Sequence, residues 1–136
     1  MIDMINMINI INIDNPLKII NEGYEVRHVA VLQKNNLLYV FYSRIGDMPE
    51  RIMASAISLN TDWKNWTASP PVTILASETN DEGVNEPLAV SESGKSQGKL
   101  HELRDPCIFE ENGKVYLLYS VAGENGISIA ELHFGK

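Results

Sequence analysis

Residues 103–120 read LRDPCIFEENGKVYLLYS. Two runs of apolar, β-branched and aromatic residues, Leu103–Phe109 and Lys114–Ser120, flank Glu110-Glu111-Asn112-Gly113. Asn-Gly between such runs is the strongest short-range signal for a β-hairpin, because both residues tolerate the left-handed backbone of a tight turn. Residues 26–43, VRHVAVLQKNNLLYVFYS, have the same build, with Tyr24–Leu32 and Leu37–Ser43 on either side of Lys34-Asn35-Asn36. A shift of 77 positions lays Arg27 on Arg104, His28 on Asp105, Asn35 on Asn112, Tyr39 on Tyr116, Tyr42 on Tyr119 and Ser43 on Ser120. The two hairpins are copies of one unit.

The copies extend outward from the hairpins. Arg51–Leu59 and Gly126–Phe134 read as third strands; with a loop shorter by four residues, Ser55 meets Ser128 and Leu59 meets Leu132. In Arg51–Leu59 the residues Ile52, Ala54, Ala56 and Ser58 alternate with Met53, Ser55, Ile57 and Leu59, a period of two that fits a strand. Pro71–Leu75, after Asp62-Trp63-Lys64-Asn65-Trp66, reads as the fourth strand of the first copy. Pro16–Ile20 repeats its pattern of proline followed by alternating apolar residues, and is expected to complete a blade. The fold class is therefore all-β. Four strands per repeat at this period is the mark of β-propeller blades. The expectation is a single partial propeller domain over 1–136, with two four-stranded antiparallel blades. Blade one covers about 21–75 and blade two about 100–136, joined by a long loop, 76–102, with an N-terminal strand region at 5–20.

A chain of 136 residues is one ordinary domain. Lys+Arg is 11 against 18 Asp+Glu, a net charge of −7, which argues against nucleic acid as a partner. With 44% hydrophobic and 21% charged residues the chain is neither disordered nor membrane-embedded. Its start, MIDMINMINIINIDN, has no basic leader and no long apolar run, so a cytoplasmic protein is expected. The single cysteine, Cys107, excludes an internal disulfide and is expected to be a buried, inert thiol.

The run Arg104-Asp105-Pro106 through Ser120 resembles the inner-strand hairpin of five-bladed propeller glycosidases, nearest to glycoside hydrolase family 43, with families 32, 68 and 130 as relatives. Asp62–Trp66 followed by Pro71–Leu75 resembles the outer part of those blades, and His28–Leu59 their penultimate blade. The resemblance covers about residues 24–134. It implies glycosidic-bond hydrolysis by paired carboxylates, with Asp105 as base or transition-state stabiliser, and needs no cofactor. The family carries five blades, whereas this chain carries two. Two blades leave sheet faces and edges open. A homo-oligomer is therefore expected, a dimer ahead of a trimer, since two chains close a four-bladed ring and three a six-bladed one.

Blade direction sorts the candidate residues. The start of strand one, the loop between strands two and three, and the connection to the next blade share one end, at the mouth of the propeller channel. That end receives Arg27, His28, Arg44–Arg51, Ala76–Glu102, Arg104 and Asp105. A hydrolase needs a second carboxylate at a fixed separation from Asp105, and Glu50, Glu86 and Glu102 are the candidates. His28 can hydrogen-bond a sugar hydroxyl, hold phosphate or act as a base. Arg27 and Arg104 are either clamps for an anion or inter-blade ion pairs. Arg44, Asp47, Glu50 and Arg51 form a ligand loop or a loop paired with itself. His101 stands in the long connection, whose Ser/Gly-rich middle, Ser91–Gly98, is expected to be mobile. Tyr42 and Tyr119 are either sugar-stacking walls or blade packing; Trp63 and Trp66, at the opposite end, are expected to pack. No metal site is expected, since Asp81, Asn85 and Glu86 lack the spacing of a calcium loop. Three functions remain open: a carbohydrate-active propeller, a non-catalytic sugar-binding or assembly module, and a phosphorylase remnant using Arg27, His28 and Arg104 for phosphate.

Overall fold

The structure is a computed structural model, and it describes residues 2–4 and 25–134. The expected strand Pro16–Ile20, and the stretch 5–20 as a whole, lie outside the described residues. The described strands are β1 (Ile2–Asp3), β2 (Glu25–Lys34), β3 (Leu37–Ile45), β4 (Ile52–Ser58), β5 (Val72–Leu75), β6 (Arg104–Glu111), β7 (Lys114–Val121) and β8 (Gly126–His133). They form two four-stranded sheets, ordered β2-β3-β4-β5 and β1-β8-β7-β6. The all-β class expected from the sequence is what the chain adopts. Within Arg51–Leu59 the strand Ile52–Ser58 forms because its alternating Met53 and Ala54 rows each find a buried face.

The first sheet is antiparallel throughout. The second differs from the expectation. Its fourth strand is β1, which runs parallel to β8 with Ile2 opposite Leu132 and Asp3 opposite His133. The Met4 amide extends this edge by donating to the His133 carbonyl at 2.7 Å. The β3–β4 and β7–β8 registers also correct the repeat. Phe41 pairs with Ala54, and its equivalent Leu118 pairs with Ile129. The second loop is thus shorter by two residues rather than four, and Ser55 corresponds to Ala130. The parity of each strand, and hence which face each residue occupies, is unchanged.

β2 and β6 contain the same irregularity. The β2–β3 register slips between Arg27 and Ala30, and the β6–β7 register between Arg104 and Cys107. His28 and Asp105 sit in the slips with φ of 55° and 54°. Non-glycine residues seldom adopt this left-handed backbone, but Asn, Asp and His are enriched there. The bulge re-aims side chains at the start of β2 and of β6. The hairpin turns match as well, with Asn35 and Asn112 at φ of 55° and 53°.

The sheets pack face to face. Leu32, Tyr39, Phe41, Ala54 and Ala56 of the first meet Leu103, Val115, Leu117, Tyr119 and Leu132 of the second in one buried cluster. Burial of this kind is worth roughly 1.5–3 kcal/mol per large side chain. A smaller cluster of Val40, Tyr42 and Met53 lies on the other face of the first sheet.

Several expectations on burial are corrected. Cys107 is exposed, because it lies on the outer face of the second sheet in the row of Leu118 and Ile129. Trp63 and Trp66 are exposed on a short 3-10 turn capped by Asp62, rather than packed. The middle of the long connection is pinned, since Ser91 and Ser96 are buried. Ser91 exchanges backbone bonds with Gly46 and Asp47, and its hydroxyl donates to the Arg44 carbonyl at 3.1 Å. Among the described residues no helix is long and apolar enough to cross a membrane.

Candidate functional site

The two bulges place the starts of β2 and β6 side by side. Arg27 and Arg104, equivalent in the repeat, converge on Glu50 at the end of the β3–β4 loop. Arg27 Nε donates to Glu50 Oε1 at 2.9 Å and its Nη2 to Oε2 at 2.5 Å. Arg104 Nε lies 3.1 Å from Glu50 Oε2, across the boundary between the sheets. Ser43 Oγ completes the set with a 2.6 Å bond to Oε1. The Leu103 amide donates to the Glu50 carbonyl at 3.0 Å, so backbone and side chain both tie the sheets together here. Glu50 is fully buried, and its two oxygens are occupied by these donors.

Arg104 is 2% exposed and carries a second carboxylate, Glu102, through Nε and Nη2 at 2.9 and 2.6 Å. Its Nη1 reaches the Gly94 carbonyl at 3.1 Å and Glu124 Oε1 at 3.3 Å. Glu102 Oε1 is buried with no hydrogen-bond partner in the protein. Burial pushes the Glu102 carboxyl above its usual range, and Arg104 offsets this only in part. The bidentate bond to Glu50 raises the proton affinity of Arg27, so that guanidinium stays charged. Glu102 and Arg104 line a small cavity of about 190 Å³ beneath the 89–97 stretch, with Lys95 and Gln97 also on its wall.

Beside this buried network lies a more open pair. His28 Nδ1 contacts Asp105 Oδ1, and Ser120 Oγ donates to Asp105 Oδ2 at 2.6 Å. The two side chains are 42% and 37% exposed. With Nδ1 committed to Asp105, Nε2 is the imidazole nitrogen left for a ligand. The two positions that correspond in the repeat are therefore in contact with each other.

The remaining candidates fall elsewhere. Asp47 takes both arginines of its own loop, Arg44 at 3.1 Å and Arg51 at 3.8 Å. That is the self-paired arrangement for Asp47, whereas Glu50 takes its partners from outside the loop. Tyr42 is buried and its hydroxyl shares a 2.8 Å bond with Ser55 Oγ. Tyr119 is also buried and donates to Glu82 Oε2 at 3.0 Å. Neither ring is an open wall for stacking. Glu86 lies with Glu82 and Tyr119 around a separate cleft of about 640 Å³, which Asn80, Lys99 and Ser128 also line. Glu82 Oε1 there accepts from the Glu78 and Thr79 amides and the Thr79 hydroxyl, locking the turn. His101 is half-buried in the connection, its amide bonded to the Pro87 carbonyl at 3.0 Å.

Sequence reasoning did not single out Ser43, Ser120, Glu82 or Glu124. The first two carry a signal, since they are repeat equivalents one pair from the bulge. Glu82 and Glu124 stand in loops whose approach to Tyr119 and Arg104 has no local pattern. Among the described residues no group of three His, Cys, Asp or Glu side chains is placed to hold a metal ion.

The chain is 37% identical over 121 residues to a protein of Acanthamoeba polyphaga mimivirus described as "Uncharacterized protein R118", a match taking in 87% of this chain and 34% of that protein. The chain thus spans about a third of the length of this relative. No family model matches the chain, and no solved structure matches it.

Proposed function

We propose that the chain is a two-repeat portion of a carbohydrate-active β-propeller, with His28 and Asp105 at the centre of its ligand face. One observation carries this reading. Two equivalent residues, both held in left-handed bulges, meet at the starts of the inner strands and stay partly open to solvent. The arginines beside them are largely buried and already paired with carboxylates. Strained backbone beneath a partly open polar pair is what a functional site supports, since a purely structural pair gains nothing from the strain.

In this reading Asp105 orients the imidazole, and Nε2 exchanges a proton or a hydrogen bond with a sugar hydroxyl. Hydrolysis needs a second carboxylate. Glu50 is saturated by arginines, and Glu86 belongs to the separate cleft. Glu102 suits a proton donor best, because burial favours its protonated form and one of its oxygens lacks a partner. A phosphate site at Arg27 and Arg104 is less well supported, as both guanidinium groups are already paired with carboxylates.

The test is calorimetry against mono- and oligosaccharides together with turnover of aryl glycosides. Asp105→Asn should lose roughly a hundredfold or more in turnover while its melting temperature stays close to that of the wild type. Wild-type protein that neither binds nor cleaves any sugar overturns the proposal. A non-catalytic assembly module would then be the better reading, favoured by the Arg104–Glu50 bridge between the sheets.

A further inference from the structure

The network around Arg104 does not balance its charge. Two guanidinium groups, Arg27 and Arg104, face three carboxylates, Glu50, Glu102 and Glu124. One negative charge is left over, and hydrogen bonding shows where it is least compensated. Both oxygens of Glu50 accept from arginine or Ser43. Glu124 Oε1 takes Arg104 and Oε2 takes the Ser96 amide. Glu102 Oε2 also takes Arg104, but its Oε1 is buried and bare. Among the described residues it is the buried side-chain polar atom left without a partner. A buried carboxylate oxygen without a donor is costly. Protonating it does not remove the cost, because the new O–H then lacks an acceptor.

Glu102 stands in the wall of the cavity of about 190 Å³ beneath the 89–97 stretch. That volume is more than ten times the ~10–15 Å³ that one water needs. The stretch above it is held in place by the same network: Arg27 Nη1 donates to the Glu92 carbonyl at 3.0 Å and Arg104 Nη1 to the Gly94 carbonyl at 3.1 Å. Arg104 offers little to an anion here, since each of its guanidinium nitrogens already has an acceptor. The exposed Glu92 and Lys95 side chains, also on the wall, offset each other. Ala89, Val90 and Leu100 supply apolar surface. An inorganic cation needs several oxygen ligands, and among the described residues no group of three acidic, His or Cys side chains gathers for one. We propose that this cavity binds a small primary alkylammonium, its charged head on Glu102 and its alkyl chain along Val90 and Leu100. Such a ligand supplies the missing donor, cancels the excess charge and uses the apolar wall, as water or a bare ion does not. A bound ammonium holds Glu102 ionised, so it excludes the proton-donor role proposed above for as long as it is bound. The inference itself does not depend on sugar binding.

The experiment titrates n-butylammonium chloride into the full chain at constant ionic strength, with the Ser96 and Leu100 amides followed by NMR. Saturable shifts with a Kd in the millimolar range or tighter are expected. Glu102→Gln keeps the shape and removes the charge, and should weaken binding by about tenfold or more. Val90→Trp fills the cavity from a position that is 55% exposed, so it spares the buried charges and should also abolish binding. This second variant decides the matter if Glu102→Gln does not fold. The absence of saturable shifts overturns the proposal, as does a folded Glu102→Gln that binds as tightly as the wild type. n-Butanol binding equally well overturns it too, by showing that the apolar wall acts alone. Sodium or potassium chloride reproducing the shifts would make an inorganic cation the occupant. A wild type that stays silent and binds only after Lys95→Met would make the chain's own lysine the occupant. Either result overturns the alkylammonium site.

Discussion

Arg104 of the second sheet and Glu50 of the first form an ion pair at 3.1 Å with both side chains buried. Glu50 also holds Arg27. One carboxylate thus bridges two guanidinium groups that the repeat brings to equivalent positions, and Glu102 and Glu124 supply further negative charge to Arg104. A buried pair gains little over a well-packed apolar substitute, but breaking it is costly because the remaining charge has no water to turn to.

Glu50→Ala should therefore destabilise the chain by about 3–5 kcal/mol, measured by urea or guanidinium denaturation. A loss under about 1 kcal/mol would mean that Arg27 and Arg104 escape to solvent or to other carboxylates.

The pH dependence of stability should carry a contribution from Glu102. Its carboxyl is raised above its ordinary 4.5 chiefly by burial. The folded chain thus holds this proton more tightly than the unfolded chain. The contribution is fully present below the unfolded value and is lost as pH rises from there through the folded value. The stability difference between wild type and Glu102→Gln should move against the wild type over that window. A difference that does not change with pH would contradict this.

The bulges make a prediction about residue type. His28 holds a φ of 55°, which β-branched side chains tolerate poorly. His28→Val should lower stability by about 1–3 kcal/mol, while His28→Gly should cost less, as it loses the Asp105 contact but relieves the strain. Thermal melts of the pair check the order, and equal losses would show that the contact matters more than the backbone.

Gly83 has a φ of 94° and lies where an added Cβ would come within 2.5 Å of the Leu100 carbonyl oxygen and 2.8 Å of the Ala122 Cα. Both neighbours are backbone and cannot swing aside. Gly83→Ala should destabilise by more than about 1 kcal/mol and loosen the 79–86 turn that Glu82 ties to Tyr119. Hydrogen exchange at the Glu82 and Val84 amides is the direct readout; unchanged protection would show that the turn absorbs the methyl group.

The sequence alone determined the repeat, the hairpins and the strand faces. Turn residues such as Asn112-Gly113 and alternation such as Val115, Leu117 and Tyr119 are local, and local backbone preference is written residue by residue. The equivalence of His28 and Asp105 was visible for the same reason. Their contact was not, because it depends on how the sheets are set against each other. Glu50 makes the point most clearly. Along the chain its neighbours are Arg44 and Arg51, and pairing within the loop was one expectation for it. The folded chain gives it Arg27 and Arg104, from 23 residues before it and from the other repeat. Cys107 follows the same logic: alternation put it opposite Ile108 across the sheet, but only packing decided that the Ile108 face is covered and the Cys107 face is open. Strand parity is a property of the backbone, whereas burial and charge pairing are properties of what the backbone is packed against.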